Sequence, residues 1–291
     1  MVSPSLPVAA LFVSSVLWGL AWLPLKYMHG LGLDGVPLTL VSYGAVALLL
    51  LPVCWRQARL WRGGGHMLLL IALLGGYANL SFALAMVYGD VVRAMVLFYL
   101  LPAWGVIGGR VFLGERIDGL RVLAVLLALA GAFLVLGGAQ VFAAPPAPLD
   151  LLALSSGFAL AMNNIAFRAT PALPHWSKVS AIFTGCAILA LVSLLGLQAP
   201  LPVVDASAWG WAVAFGLGWI LVATAVSQWA VTHLEAGRAS IILIVELVAA
   251  VVSATLLTDK VLQPMEMFGG VLIVIAAVVE ARRESAVAAS A

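Results

Sequence analysis

Residues 8–139 carry five long apolar stretches and residues 150–281 carry five more. This doubling constrains the fold more than any single motif, because five is odd. After five crossings the chain stands on the far side of a bilayer. A second copy of the pattern then enters from the opposite face and is inverted relative to the first. Inverted halves can rock about one midplane site and open it to either side in turn.

The spans fall at about 8–27, 36–54, 66–87, 91–113, 119–139, 150–167, 176–197, 208–231, 238–258 and 265–281. Each approaches the ~20 apolar residues that a bilayer core requires. At 64% hydrophobic and 9% charged, the chain lacks the polar residues to cover a soluble surface of this size. The sequence therefore predicts an all-α membrane protein of ten transmembrane helices, built as two inverted five-helix repeats around a central cavity. The first repeat is 1–139, an external linker rich in proline is 140–149, and the second repeat is 150–291 with a short cytoplasmic tail. The first span has no basic leader and carries Pro24 and Lys26 where a cleavage site needs small residues, so it reads as a membrane helix.

Eleven of the 14 basic residues fall on the side of the N-terminus; Lys26, Arg93 and Lys260 fall on the other. The positive-inside rule predicts both termini in the cytoplasm. Cys54 and Cys186 read as small apolar residues, with no disulfide or metal framework. A net charge of +2 with scattered bases gives no nucleic-acid footprint. No cofactor is expected.

Local echoes align the halves. Ser14-Ser15 precedes Lys26 in span 1 as Ser155-Ser156 precedes Arg168 in span 6. Arg93-Ala94 opens span 4 and Glu115-Arg116 closes it, as Arg238-Ala239 and Asp259-Lys260 bound span 9.

Leu17-Trp18-Gly19 followed by Lys26, Leu101-Pro102 in span 4, and Gly114-Glu115-Arg116 after it resemble the first repeat of the EamA-type drug/metabolite transporter superfamily. The second repeat departs from that pattern. Leu247 follows Glu246 where the family often has proline, and Asp259-Lys260 stands in place of Gly-Glu. Gly75-Gly76-Tyr77-Ala78-Asn79 and the aromatic content are most similar to the YddG-type aromatic amino-acid exporters. That resemblance implies a bacterial inner-membrane exporter of aromatic and other neutral amino acids.

Polar groups inside hydrocarbon must face protein or a wet cavity, so their positions trace a candidate path. Tyr77 and Ser81 share a face of span 3, and Asn163 and Asn164 lie in span 6. Thr224 and Gln228 share a face of span 8, and Glu246 and Ser253 share one of span 9. Trp18 and Trp22 add span 1, and Tyr99 adds span 4. Each has a structural reading too. Serine and threonine back-bond to helix carbonyls, and tryptophan packs helices. Glu246 is either a proton-coupling or ammonium-binding carboxylate, or a protonated acid bonded to a neighbouring helix. Pro24 and Pro102 are candidate hinges. Lys26 and Arg168 are candidate gate residues that could meet a substrate carboxylate, although snorkelling to the headgroups also explains them. Arg93 and Arg238 read as helix-start anchors. Spans 5 and 10 read as peripheral and nearly free of polar groups.

Four scattered histidines and no clustered acids give an enzyme little to work with, and no charged ring marks a channel. Phosphorylated or nucleotide sugars would call for bases deep in the cavity, whereas here they crowd the span ends. A multidrug or organic-cation exporter remains the alternative, with Glu246 and aromatic walls as its site. Because one chain holds both halves, a monomer can suffice.

Overall fold

The computed structural model describes residues 5–61, 63–138, 145, 147–196, 198, 201–258 and 261–289, and every regular element among them is a helix. In chain order these are α1 Ser5–Gly19, α2 Trp22–Gly30, α3 Gly35–Gln57, α4 Gly65–Tyr88, α5 Val91–Phe98, α6 Leu101–Leu113 and α7 Gly119–Val135. The later helices are α8 Pro148–Ala169, α9 His175–Gly196, α10 Ala206–Ala214, α11 Leu221–His233, α12 Ala236–Leu243, α13 Val245–Leu257 and α14 Pro264–Ala289. A π-helical stretch, Phe215–Ile220, joins α10 to α11.

Eight helices or collinear pairs are long and apolar enough to cross a membrane: spans 1–4 and 6–9 of the sequence pattern. The fifth expected span, 119–139, is the shorter α7, which stops at Val135. The tenth falls within α14. Most of the 140–149 linker, together with Arg62, Asp259 and Lys260, lies outside the described residues.

Four spans are interrupted, and two interruptions have a visible cause. Pro24 lacks an N–H and its ring clashes with the carbonyl four residues back, at Leu20. The chain accordingly turns through Leu20 and Ala21, where Ala21 N–H bonds Trp18 O at 3.0 Å. Pro102 has the same effect at Tyr99 and Leu100, between α5 and α6. Span 9 breaks at Ile244, where Leu247 N–H bonds Ile244 O at 2.9 Å in a tightened turn. Leu247 lies nine residues after Arg238, as Pro102 lies nine after Arg93. The break recurs at the matching place without the proline. Span 8 is loosened by its π-helical stretch instead.

The helices pack in pairs that exchange of the halves carries into one another. α3 lies on α9 and α7 on α14. α1 packs on α11 and α13, as α8 packs on α4 and α6. At the crossing of α7 and α14 the small residues are reciprocal. A Cβ on Gly131 would stand 2.6 Å from Gly269 O, and one on Gly269 would stand 2.6 Å from Gly131 O. Without a hydrophobic force between helices in lipid, such close backbone approach is how they adhere.

Candidate functional site

Three helix interruptions meet around Glu246. It is the second residue of α13, directly past the break at Ile244. Tyr99, at the break of span 4, donates its hydroxyl to Glu246 Oε1 at 2.8 Å. Gly19, the last residue of α1 before the break of span 1, packs against the Glu246 carbonyl so closely that no side chain fits between them. Trp22 opens α2 on the far side of that break, and its indole N–H donates to Ser253 Oγ at 3.0 Å. Interrupted helices thus bring an acid, a phenol, an indole and a hydroxyl to one region, bridging spans 1, 4 and 9. Backbone freed by such breaks, together with a carboxylate, suits a polar or cationic solute group.

A second group lies between α8 and α11. Asn163, Asn164 and Gln228 are all buried. Asn164 Oδ1 accepts from Gln228 Nε2 at 3.0 Å and faces Asn163 Nδ2 at 3.5 Å. Asn163 Oδ1, Asn164 Nδ2 and Gln228 Oε1 are buried and, among the described residues, have no hydrogen-bond partner. Buried polar atoms left unpaired are costly, and such groups are usually met by water or a ligand.

The third group lies where α8 packs on α4 and α6. Tyr77 and Ser155 share a hydrogen bond of 2.7 Å. Phe158, one turn along α8 and well exposed, meets Trp104 of α6 edge to face at 5.6 Å. The Trp104 indole N–H is buried and has no hydrogen-bond partner among the described residues. The sequence reading missed Ser155, Phe158 and Trp104 as site residues, although the half-polar spacing of Ser155 and Phe158 on one helix stripe was a usable signal.

The remaining candidates are placed less centrally. Ser81 is buried and back-bonds to Tyr77 O at 2.6 Å. Thr224 is buried beside Ser227, which back-bonds to Thr224 O at 3.1 Å. Trp18 is half-buried against the main core. Lys26 is exposed, its ammonium 5.9 Å from the Trp22 ring. Arg168 spans from the end of α8 to the end of α11, where it caps Thr232 O at 2.9 Å. A cation there complements the C-terminal pole of α11.

The span ends depart from the expectation of simple anchors. Arg93 is buried, bonded to Asp150 at 3.0 Å and to Pro145 O at 2.8 Å. Lys178, near the start of span 7, is buried and caps α8 through Phe167 O at 2.9 Å and Thr170 O at 3.1 Å. Spans 5 and 10 are not free of polar groups. Arg121 of α7 is 0% exposed and meets Glu280 of α14 at 2.8 Å, Glu115 at 3.5 Å and Glu235. Arg283 extends the cluster to Asp118 at 2.5 Å and Glu235 at 2.8 Å. Glu115 also accepts from the N–H groups of Ala236 and Gly237 at 2.7 and 3.3 Å, so it caps α12. Arg238 is buried beside this cluster rather than anchored in headgroups.

Burial alone would raise the Asp118 pKa. The Arg121 backbone N–H and the Arg283 guanidinium outweigh burial and hold the carboxyl below the usual range. Glu235 follows the same logic: burial opposes ionisation, but the charges of Arg121 and Arg283 prevail and lower its pKa.

Two cavities are described, and none of the ten candidate substrate-binding residues lines either one. One, of about 230 Å³, lies between α2 and the π-helical stretch. The other, of about 480 Å³, lies alongside Lys26. Among the described residues no group of histidines, cysteines and acids could hold a metal ion.

Residues 5–137 match the model of the EamA-like transporter family. No curated protein matches the chain. A solved crystal structure superposes with a TM-score of 0.76 over 94% of this chain and 96% of its own, at 19% identity, which shows a common fold. Residues 5–137 are thus similar to the EamA-like transporter family, on a chain with eight helices long and apolar enough to cross a membrane.

Proposed function

We propose that this protein exports amino acids, aromatic and other neutral ones, across a bacterial inner membrane by alternating access. The observation that carries the reading is the Tyr99–Glu246 pair at the meeting of three broken helices. A carboxylate there suits the ammonium of a zwitterion. Trp22, Trp104 and Phe158 supply aromatic surface for its side chain.

The basic residues support a zwitterion over a phosphorylated sugar. Arg93, Arg121, Lys178 and Arg168 are engaged near span ends, by acids or by helix carbonyls. Phosphate recognition would need such charges uncommitted and deep. The pairwise packing of the two halves, and the helix break repeated at Pro102 and Leu247, support inverted repeats of five helices with division at 140–149. The distribution of bases supports cytoplasmic termini. One chain holds both halves, which supports transport by a monomer.

A second reading, an exporter of organic cations, rests on the same Glu246 with aromatic residues around it. Counterflow in liposomes separates the two. Purified protein should exchange labelled tryptophan and phenylalanine, with and without a pH gradient. Flux of a quaternary ammonium with no amino-acid flux would replace the first reading by the second.

A further inference from the structure

We propose that the Lys26 end of span 1 holds a resident anionic phospholipid, one acyl chain in the slot between α2 and the π-helical stretch and its phosphate at Lys26. The slot has a volume of about 230 Å³ and is walled by Pro24, Tyr27, Met28, Phe215, Gly218 and Trp219, among others. It is a built feature of the backbone. Pro24 displaces α2, the π-helical turns widen the facing span, and a Cβ on Gly218 would meet nothing within 4 Å. Elsewhere a glycine such as Gly131 admits another helix; Gly218 leaves a space that no part of the chain fills.

The direction of the opening identifies the occupant. Trp211, Ala214, Gly218 and Val222 form one exposed stripe along span 8. Thr224 and Gln228 are buried on a different face, and Gln228 bonds Asn164 of α8. The slot therefore opens on the side of span 8 turned away from α8, toward the surroundings of the bundle. In a membrane-spanning chain those surroundings are lipid tails. Tyr27 and Trp211 meet edge to face at 5.6 Å at its rim.

Charge completes the fit. The neighbouring cavity, about 480 Å³, shares Tyr27 and is lined by Lys26. Asp34, the nearest acid along the chain, is taken by His29 at 2.6 Å. Among the described residues Lys26 has no salt-bridge partner, and its ammonium lies 5.9 Å from the Trp22 ring. An uncommitted cation at a span end, beside an apolar slot open to lipid, matches an anionic headgroup with its chain.

The site is tested on purified full-length protein in maltoside detergent, reading the thermal unfolding midpoint as lipid is added. Dioleoylphosphatidylglycerol should raise the midpoint by about 4 °C or more, and dioleoylphosphatidylcholine by less. Lys26→Gln should erase the difference between the two lipids. Gly218→Leu, which fills the open space, should erase both shifts while keeping the lipid-free midpoint of the unaltered protein. Soluble glycerol 3-phosphate should produce no shift. Overturning results are a phosphatidylglycerol effect that survives both substitutions, or no lipid effect at all. A tryptophan-induced shift that Gly218→Leu abolishes would assign the slot to substrate instead. None of these readings depends on transport, so the lipid site and the export reading fail separately.

Discussion

Glu246 is the residue on which the transport reading turns, because an acid near the middle of a membrane helix costs about 2.5–3.5 kcal/mol unless something compensates it. Among the described residues its compensation is one hydrogen bond, from Tyr99. Glu246→Gln keeps the shape and removes the charge, so tryptophan counterflow should fall at least tenfold and lose its dependence on pH. Tyr99→Phe leaves the carboxylate in place but unbonded, and the loss of a hydrogen bond to a charged group should slow flux about tenfold. Wild-type flux at every pH from Glu246→Gln would reduce the pair to a structural contact. Both residues were legible in the sequence as polar groups inside apolar spans. Their partnership was not, since it joins positions 147 apart and depends on where two helices break. The same holds for the amide cluster. Asn163, Asn164 and Gln228 stood out by polarity, but their convergence on one oxygen belongs to the packing of α8 on α11.

At the scale of elements, the breaks in spans 1 and 4 were legible because proline excludes a helical hydrogen bond wherever it stands. The break at Ile244 carries no such residue. It follows from position: the matching half-helices α5 and α12 end at the same distance from Arg93 and Arg238. Tertiary packing, with Gly19 pressed on the Glu246 carbonyl, holds a turn that local sequence does not require. Removing the prolines therefore tests whether the breaks are hinges or fixed shapes. If half-helices rock, Pro24→Ala and Pro102→Ala should let the backbone hydrogen bonds close and lower the rate of counterflow severalfold, with the affinity for tryptophan less affected. Unchanged rates in both variants would mean that packing alone sets these breaks and that motion is seated elsewhere.

For the whole molecule, the two halves are held by charge as well as by packing, and this was the least legible part of the sequence. Arg121 and Glu280 each looked like an ordinary residue of a span end, whereas together they form a buried pair that fastens α7 to α14. Glu235 and Glu115 bring the start of α12 into the same cluster. Stripping a buried charge of its partner is more damaging than never having the pair, so Arg121→Gln should destabilise by about 3–5 kcal/mol, read as a lower unfolding midpoint in detergent. The exposed rim of the cluster gives a dependence on pH with a defined sign. Asp118 and Glu235 titrate lower when folded than when unfolded, so the unfolded chain binds protons first as pH falls. Their stabilisation is complete above the ordinary carboxylate range, at about pH 4.5, and drains away below it as the folded groups also protonate. The unfolding midpoint should accordingly hold steady from neutral pH to about 5 and drop below about 4. Asp118→Asn should start from a lower midpoint at pH 7 and fall less on acidification, because part of the pH-sensitive linkage is already gone. A midpoint that rises on acidification, or an Asp118→Asn curve parallel to that of the unaltered protein, would mean that these carboxylates do not bind the span ends together.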